Sequence, residues 1–218
     1  MDVYTNQFHS GHLYLRIEEQ EAKSLPPSRF DALIDEHRKP LQAIVPSDAA
    51  ETVRLLREAG FVLKRRCYEM NVRASDLRAP LPARTRRLTV TEKGTPMYAV
   101  CAEEMYAHYS KTHLSVNPLT ASLQAFTEML PDTAVYLATN GRVDAAAFVE
   151  DNEIAYLWVR DGHVFPAFAK LLLYELFSRH DRICFEADDT DPVAMKLKAM
   201  FSEVDGPSYD TYVKSTHL

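Results

Sequence analysis

The chain has 218 residues, 46% of them hydrophobic and 26% charged, and a formal net charge of −6. This is enough apolar material for one large globular domain, or a domain plus a fragment, with an ordinary core. The acidic balance excludes a general attraction to nucleic acid or anionic membrane. No apolar run reaches the ~18 residues of a membrane span, and the opening MDVYTNQFHSGHLY lacks the basic-then-apolar layout of a secretory signal. Cys67, Cys101 and Cys184 form no CxxC pair and cannot all pair with one another, so reduced thiols in a cytoplasmic protein are expected. Basic residues cluster at Lys64-Arg65-Arg66 and between Arg84 and Arg87, and both runs read as solvated surface.

Residues 12–19, HLYLRIEE, alternate as a strand does and are followed by a break at Pro26-Pro27. The stretch from Phe30 to Arg38 has helical spacing, and LQAIVP is a short apolar strand. Ser47 or Asp48 offers an N-cap for a helix carrying Val53, Leu55, Leu56 and Ala59, which Gly60 stops. A strand-like run follows and includes Tyr68-Glu69-Met70. Residues 74–87, ASDLRAPLPARTRR, have almost no apolar pattern, and 74–85 are expected to form a linker.

Beyond it, RLTVTE predicts a strand, followed by helices from about Met97 to Tyr109 and from Leu119 to Leu130. AVYLAT, Asn140-Gly141 and VDAAAFVE predict a hairpin, because Asn-Gly accepts the positive backbone angles of a tight turn. A second turn at Asp151-Asn152 leads into the strand EIAYLWV. The helix PAFAKLLLYELF, the strand RICFEA, the helix PVAMKLKAMF and a strand near SYDTYVK complete the series. This order predicts an α/β sheet of mixed direction. One pattern occurs twice. DAAETVRLLREAGF and DPVAMKLKAMFSEV each follow an apolar strand with an acidic start and an amphipathic helix, and Thr52 falls where Ala194 does and Leu55 where Leu197 does.

These features resemble the GCN5-related N-acetyltransferases over most of residues 86–218, and more loosely over the second half of 1–73. In that family a strand ends in Val and turns through Arg/Gln-x-x-Gly-x-Gly/Ala into a helix. A later element is Asn-x-x-Ala, followed by a tyrosine. Here the strand ends at Val159, and Val164-Phe165-Pro166-Ala167-Phe168-Ala169 fall on the loop motif. Asp191 stands at the Asn, Ala194 at the Ala and Lys198 at the Tyr. The resemblance implies the acyl-CoA N-acyltransferase fold: a mixed, mainly antiparallel twisted sheet flanked by helices. It further implies a partial copy at 1–73, a linker at 74–85 and an acetyltransferase domain at 86–218.

The activity it implies is transfer of acetyl from acetyl-CoA, as co-substrate, to a primary amine of a small molecule or peptide. No metal is needed. The alternative is a degenerate relative that binds acyl-CoA or a partner without turnover. Leu157, Trp158 and Val159 would splay from Cys184 to Ala187 and line the coenzyme. The amides of Ala167, Phe168, Ala169 and Lys170 would hold its pyrophosphate at the helix N-terminus. Glu153, six residues before Val159, would take a proton from the amine, because an ammonium has no lone pair to attack with. Lys198 would donate a proton to the leaving thiolate. Plainer readings stand beside each of these: a capped core helix, a turn glutamate and a solvated helix lysine. Tyr106, His108, Tyr109, Lys111 and His113 fall where the family places its acceptor groove, and a histidine there could relay protons. The histidines show no metal-ligand spacing, and the chain is expected to be a monomer or a homodimer.

Overall fold

The structure is a computed structural model that describes residues 1–81, 87–203 and 206–216. It is a mixed α/β fold with a mainly antiparallel sheet flanked by helices, as the element order predicts. The chain folds into two compact units, and neither is a continuous stretch of sequence. One comprises Met1–Tyr68, Ser110–Ala121 and Pro207–Leu218; the other comprises Glu69–Tyr109 and Ser122–Gly206.

In the first unit the strands run in the order β1 (Asp2–Thr5), β2 (Leu13–Arg16), β3 (Leu41–Pro46), β10 (Ser208–Lys214) and the first residues of β4 (Val62–Val72). β1 and β2 are antiparallel, β2 and β3 are parallel, and β10 is antiparallel to both β3 and β4. Helices α1 (Glu19–Ala22), α2 (Ser28–His37) and α3 (Ala50–Glu58) bury Phe30, Leu33, Ile34, Leu55 and Leu56 against Leu13, Leu15, Leu41, Ala43 and Tyr212. α3 ends as Gly60 predicts. Gly60 takes φ 83°, its amide reaches the Arg57 carbonyl at 3.0 Å, and the Phe61 amide reaches the Leu56 carbonyl at 2.9 Å. The Phe61 ring then meets Phe30 edge-on, with ring centroids 5.2 Å apart.

The closing strand, β10, departs from the contiguous layout expected of residues 86–218. It lies between β3 and β4, and an ion pair with one buried partner pins it there. Asp210 is only 2% exposed; it accepts from Arg66 Nε at 2.6 Å, from an Arg66 terminal nitrogen at 2.9 Å and from Ser47 Oγ at 2.8 Å. Lys214, further along β10, donates to the Ala59 carbonyl at the end of α3 and pairs with Asp31 at 2.7 Å. The first part of the expected linker is also a built segment. It forms a 3-10 turn at Ala74–Asp76, and the Arg78 amide and Nε then bond the Met200 and Phe201 carbonyls. Residues 82–86, which include Arg84 and Arg86, lie outside the described residues.

In the second unit the order is the end of β4, β9 (Ile183–Asp188), β8 (Glu153–Val159), β7 (Arg142–Glu150), β6 (Thr133–Thr139) and β5 (Thr89–Glu92). The β6–β7 turn has Asn140 at φ 53° and Gly141 at φ 78°, the geometry the dipeptide predicts. Ala145, Ala146, Ala147 and Phe148 of β7 are all fully buried, which makes β7 a central strand covered on both faces. Helices α4 (Pro96–His113), α5 (Leu123–Met129), α6 (Phe165–Phe177) and α7 (Pro192–Lys198) supply the rest of the packing. α4 runs further than its pattern predicts. α5 starts later, where the Ser122 hydroxyl caps it by accepting from the Ala125 amide at 3.2 Å. Thr120 and Ala121, expected in that helix, belong instead to the first unit, where their amides reach the Phe8 carbonyl at 2.7 and 3.3 Å.

Candidate functional site

β8 is the strand on which the second unit opens. Along one edge it pairs with β7 from Glu150↔Glu153 to Ala145↔Val159. A register shift after Phe148↔Tyr156 leaves Ala155 as an extra, bulged residue. Along the other edge it pairs with β9 in parallel at Glu153↔Cys184 and Ile154↔Phe185 alone. Asn152 closes that end, its carbonyl taking the Cys184 amide at 3.0 Å and its side chain reaching the Arg182 carbonyl at 3.1 Å. From Ala155 to Val159 the β9-facing edge has no strand partner among the described residues. The two parallel strands therefore part toward their carboxyl ends, where α/β sheets bind ligands.

Helix α4 borders this cleft. The Tyr109 ring lies 6.2 Å from that of Tyr156 on β8, and Phe126 of α5 lies 5.1 Å from Tyr109 and 5.8 Å from Tyr156. Tyr106 joins the cluster through Phe126 at 5.6 Å. Burial pushes the Tyr156 phenol up from its ordinary pKa, and the carboxylates of Glu186 and Glu153 add to the effect. One residue before Tyr109, His108 Nε2 lies 2.9 Å from Asp191 Oδ2. The other oxygen of Asp191 caps α7, accepting from the amides of Val193 at 2.7 Å and Ala194 at 3.3 Å.

At the open end, the loop from Arg160 to Val164 leads into α6. Arg160 turns back along the sheet, bonding the Val143 carbonyl through Nε at 3.1 Å, pairing with Glu104, and lying 5.3 Å from the Trp158 ring. The Asp161 side chain takes the His163 amide at 3.0 Å. Lys196 of α7 reaches this loop from outside it: a Cβ built on Gly162 would stand 3.0 Å from Lys196 Nζ.

The residues expected to bind the coenzyme and move protons all lie in this unit, although not at one point, whereas Lys111 and His113 of the expected acceptor groove belong to the first unit. Glu153 is exposed at the closed end of the cleft, and Leu157, Trp158 and Val159 are buried at its open end, roughly 20 Å along the strand from Glu153 to Val159. Phe165, Phe168 and Ala169 are buried in α6, Ala167 and Lys170 are exposed on it, and Val164 is its N-cap. Asp191 and Ala194 open α7 and Lys198 closes it.

The set of pyrophosphate amides needs correction. α6 begins at Phe165, one residue before Pro166, and the Phe168 amide is already committed to the Val164 carbonyl at 3.1 Å. Ala169 and Lys170 lie deeper in the helix, where amides bond carbonyls four residues back. Only the first-turn amides of Phe165 and Ala167 lack an intrahelical acceptor, since Pro166 has no N–H. Lys196 and the His108–Asp191 contact had no signal in the local pattern, because both depend on residues that only the fold brings together.

A cavity of about 390 Å³ in this unit is lined by Leu88, Val90, Val135, Leu172 and Leu176 among others, and none of the expected site residues lines it. Among the described residues no group of three or more His, Cys, Asp or Glu side chains is placed to hold a metal ion. None of their helices is long and apolar enough to cross a membrane.

The divergent parallel pair with a helix opening at its end is the arrangement the resemblance to the GCN5-related N-acetyltransferases implies, and solved structures of that family share the fold. Such a protein from Sphaerobacter thermophilus matches with a TM-score of 0.58 at 13% identity, over 100% of this chain and 76% of that one. One from Kribbella flavida gives 0.50 at 16% identity, over 95% and 82%. A tandem GNAT protein from the clavulanic acid biosynthesis pathway gives 0.52 at 11% identity, over 95% and 76%. No protein-family model and no curated protein matches the chain.

Proposed function

We propose that the protein is an N-acyltransferase that passes acetyl from acetyl-CoA to a primary amine. The parting of β8 from β9 after Ile154↔Phe185, with α6 opening at the end of the same strand, is the observation that supports this most. The unpaired edge from Ala155 to Val159 offers backbone donors and acceptors to an extended pantetheine. The amides of Phe165 and Ala167, with Lys196 beside Gly162, offer positive charge to a pyrophosphate. Asp161 opposes it, so the loop suits the group only in part. Ala194 keeps the start of α7 small beside the cleft.

In this reading a base takes the amine proton and an acid returns one to the departing thiolate; Glu153 and Lys198 are the groups the family resemblance offers for those two roles. The acceptor meets the wall of Tyr106, Tyr109, Phe126 and Tyr156, near the carboxylates of Glu153 and Glu186. That combination favours a cationic amine with an apolar or aromatic body, either a small molecule or a peptide, in a cytoplasmic setting. Residues 1–73 would be the partial copy of the same fold, an origin supported by the repeated order of antiparallel pair, parallel pair and helix in the two units.

A second reading, a relative that binds acyl-CoA without turnover, is favoured by the two-amide opening of α6. Thiol release from acetyl-CoA across a panel of amines separates the two. Release of one thiol per acetylated amine, dependent on the acceptor, is the result expected of the enzyme; a loss in Glu153→Gln near neutral pH that partly recovers at alkaline pH would give that residue the base's role. Coenzyme binding without release from any amine is the result expected of the second reading.

A further inference from the structure

Resting on the acyl-transfer reading, we infer that His108, in place of Glu153 and Lys198, is the acid–base group of this site, and that Asp191 holds its imidazole in the working orientation. Helix α4 spans the gap between the two diverging strands. Tyr109 touches Tyr156 on β8 at a centroid distance of 6.2 Å, and the adjacent His108 bonds Asp191, three residues beyond the end of β9, at 2.9 Å. His108 is therefore held over the part of the cleft where the strands no longer pair.

The carboxylate that holds it is itself fixed. Asp191 Oδ1 accepts two backbone amides of α7, which leaves Oδ2 for His108, and the two side chains are only 17% and 11% exposed. An ionised carboxylate only accepts, so Nε2 carries a proton and the lone pair of the neutral ring lies on Nδ1. Nδ1 makes no hydrogen bond among the described residues. A base oriented by a fixed third group is the arrangement nucleophilic and acid–base sites use. On α4, Glu104 lies one turn before His108 and pairs with Arg160, and Lys111 lies three residues after it.

The chemistry balances as follows. Nδ1 takes one proton from the acceptor ammonium, and the freed nitrogen lone pair attacks the thioester carbonyl to form the C–N bond. The C–S bond breaks, and the sulfur leaves as thiolate and takes the proton from His108. The second proton of the former ammonium leaves the new amide nitrogen for water, so each turnover releases one proton. His108 thus both receives and returns a proton within one cycle, from one side of the cleft.

The test compares the wild type with His108→Gln and Asp191→Asn. Melting temperature and acetyl-CoA binding by calorimetry are measured beside the pH dependence of kcat/KM. Gln at 108 keeps a donor toward Asp191 but has no base. Asn at 191 keeps the α7 cap, but turns a donor toward Nε2 and favours the other tautomer. His108→Gln should bind acetyl-CoA and lose about 100-fold or more near pH 7, with a smaller loss near pH 10, where the amine deprotonates unaided. Asp191→Asn should lower kcat more than it raises KM.

Nitrogen NMR of the coenzyme-free protein supplies a readout besides activity. The His108 proton should sit on Nε2 in the wild type and move to Nδ1 in Asp191→Asn. A folded His108→Gln that stays within about threefold of the wild type at every pH overturns the inference while leaving acyl transfer standing. A wild-type His108 protonated on Nδ1 overturns it as well. A wild type that transfers acetyl to no amine removes the acyl-transfer reading and this one with it.

Discussion

Each unit contains a parallel strand pair joined through a helix, β2–α2–β3 in one and β8–α6–β9 in the other, and the two pairs end differently. β2 pairs with β3 at Leu13↔Leu41, Tyr14↔Gln42 and Leu15↔Ala43, and its Leu13, Tyr14 and Leu15 are all buried. β8 pairs with β9 at its first two residues and then parts from it for the rest of its length. The same connectivity thus gives a closed, core-filled pair in one place and a cleft with an unpaired backbone edge in the other. A strand edge without a partner leaves amides and carbonyls unsatisfied, so the open pair is where a ligand with amides of its own would be held. Closure makes the first pair a stability element. The opening makes the second the place where the proposed coenzyme would bind.

The largest effect that would test this division comes from the closed pair. Phe30 has no exposed surface and packs on Phe61, so Phe30→Ala should cost about 3–5 kcal/mol in chemical denaturation. The folded fraction should bind acetyl-CoA as the wild type does; a weakened coenzyme affinity would mean that the closed pair also serves the site.

Next comes Ala167→Asp, which sets a carboxylate at the exposed opening of α6. Acetyl-CoA at about 100 times its Kd should stabilise the wild type by ~2.7 kcal/mol. The variant should lose most of that shift while melting close to the wild type without ligand. An unchanged shift would place the coenzyme elsewhere.

A smaller effect belongs to the ion pair of β10. Arg66 beside Asp210 holds its carboxyl below the usual aspartate range, with Ser47 adding to the effect. The folded pKa is depressed, so this contribution is fully present above the unfolded value near 3.8 and is lost as pH falls through the folded one. Asp210→Asn should cost about 1–3 kcal/mol at pH 7, a range reduced because Arg66 is 38% exposed. The difference between variant and wild type should shrink below about pH 4. A difference independent of pH would show that packing, not charge, holds β10.

The smallest effect is a slope. Burial lowers the pKa of His9 and of His12 below 6.5; each makes a ring hydrogen bond, to the Pro118 carbonyl at 3.2 Å and to Gln42 at 3.0 Å respectively. Both are charged more readily in the unfolded chain, so stability should fall as pH drops below about 6.5. Substituting both by Gln should flatten that slope. An equally steep fall in the double variant would assign the acid sensitivity to other groups.

Much of this protein could be read from its residues one segment at a time. Asn140-Gly141 gave the hairpin and Gly60-Phe61 the end of α3, because a positive φ has few residue types to serve it. The succession of β8, α6, β9 and α7 followed from apolar period and caps, and the place where a cleft would form followed from the family resemblance. The limits of α6 were less legible: a proline invites placement at the first helical position, and here Phe165 precedes it.

What the sequence by itself determined is most of the elements and their order, though not β1, α1 or the turn at Ala74–Asp76, since turn angles, caps and periodicity are settled within a few residues. Only the tertiary structure decided which elements meet. SYDTYVK carries the same alternation whether it borders β9 or, as here, lies between β3 and β4 under the grip of Arg66 on Asp210. Nothing near His108 in the sequence names Asp191, and nothing near Gly162 names Lys196. The physical reason is that a strand edge or a polar side chain is satisfied by a partner of the right geometry at any separation along the chain, and no local signal encodes that choice.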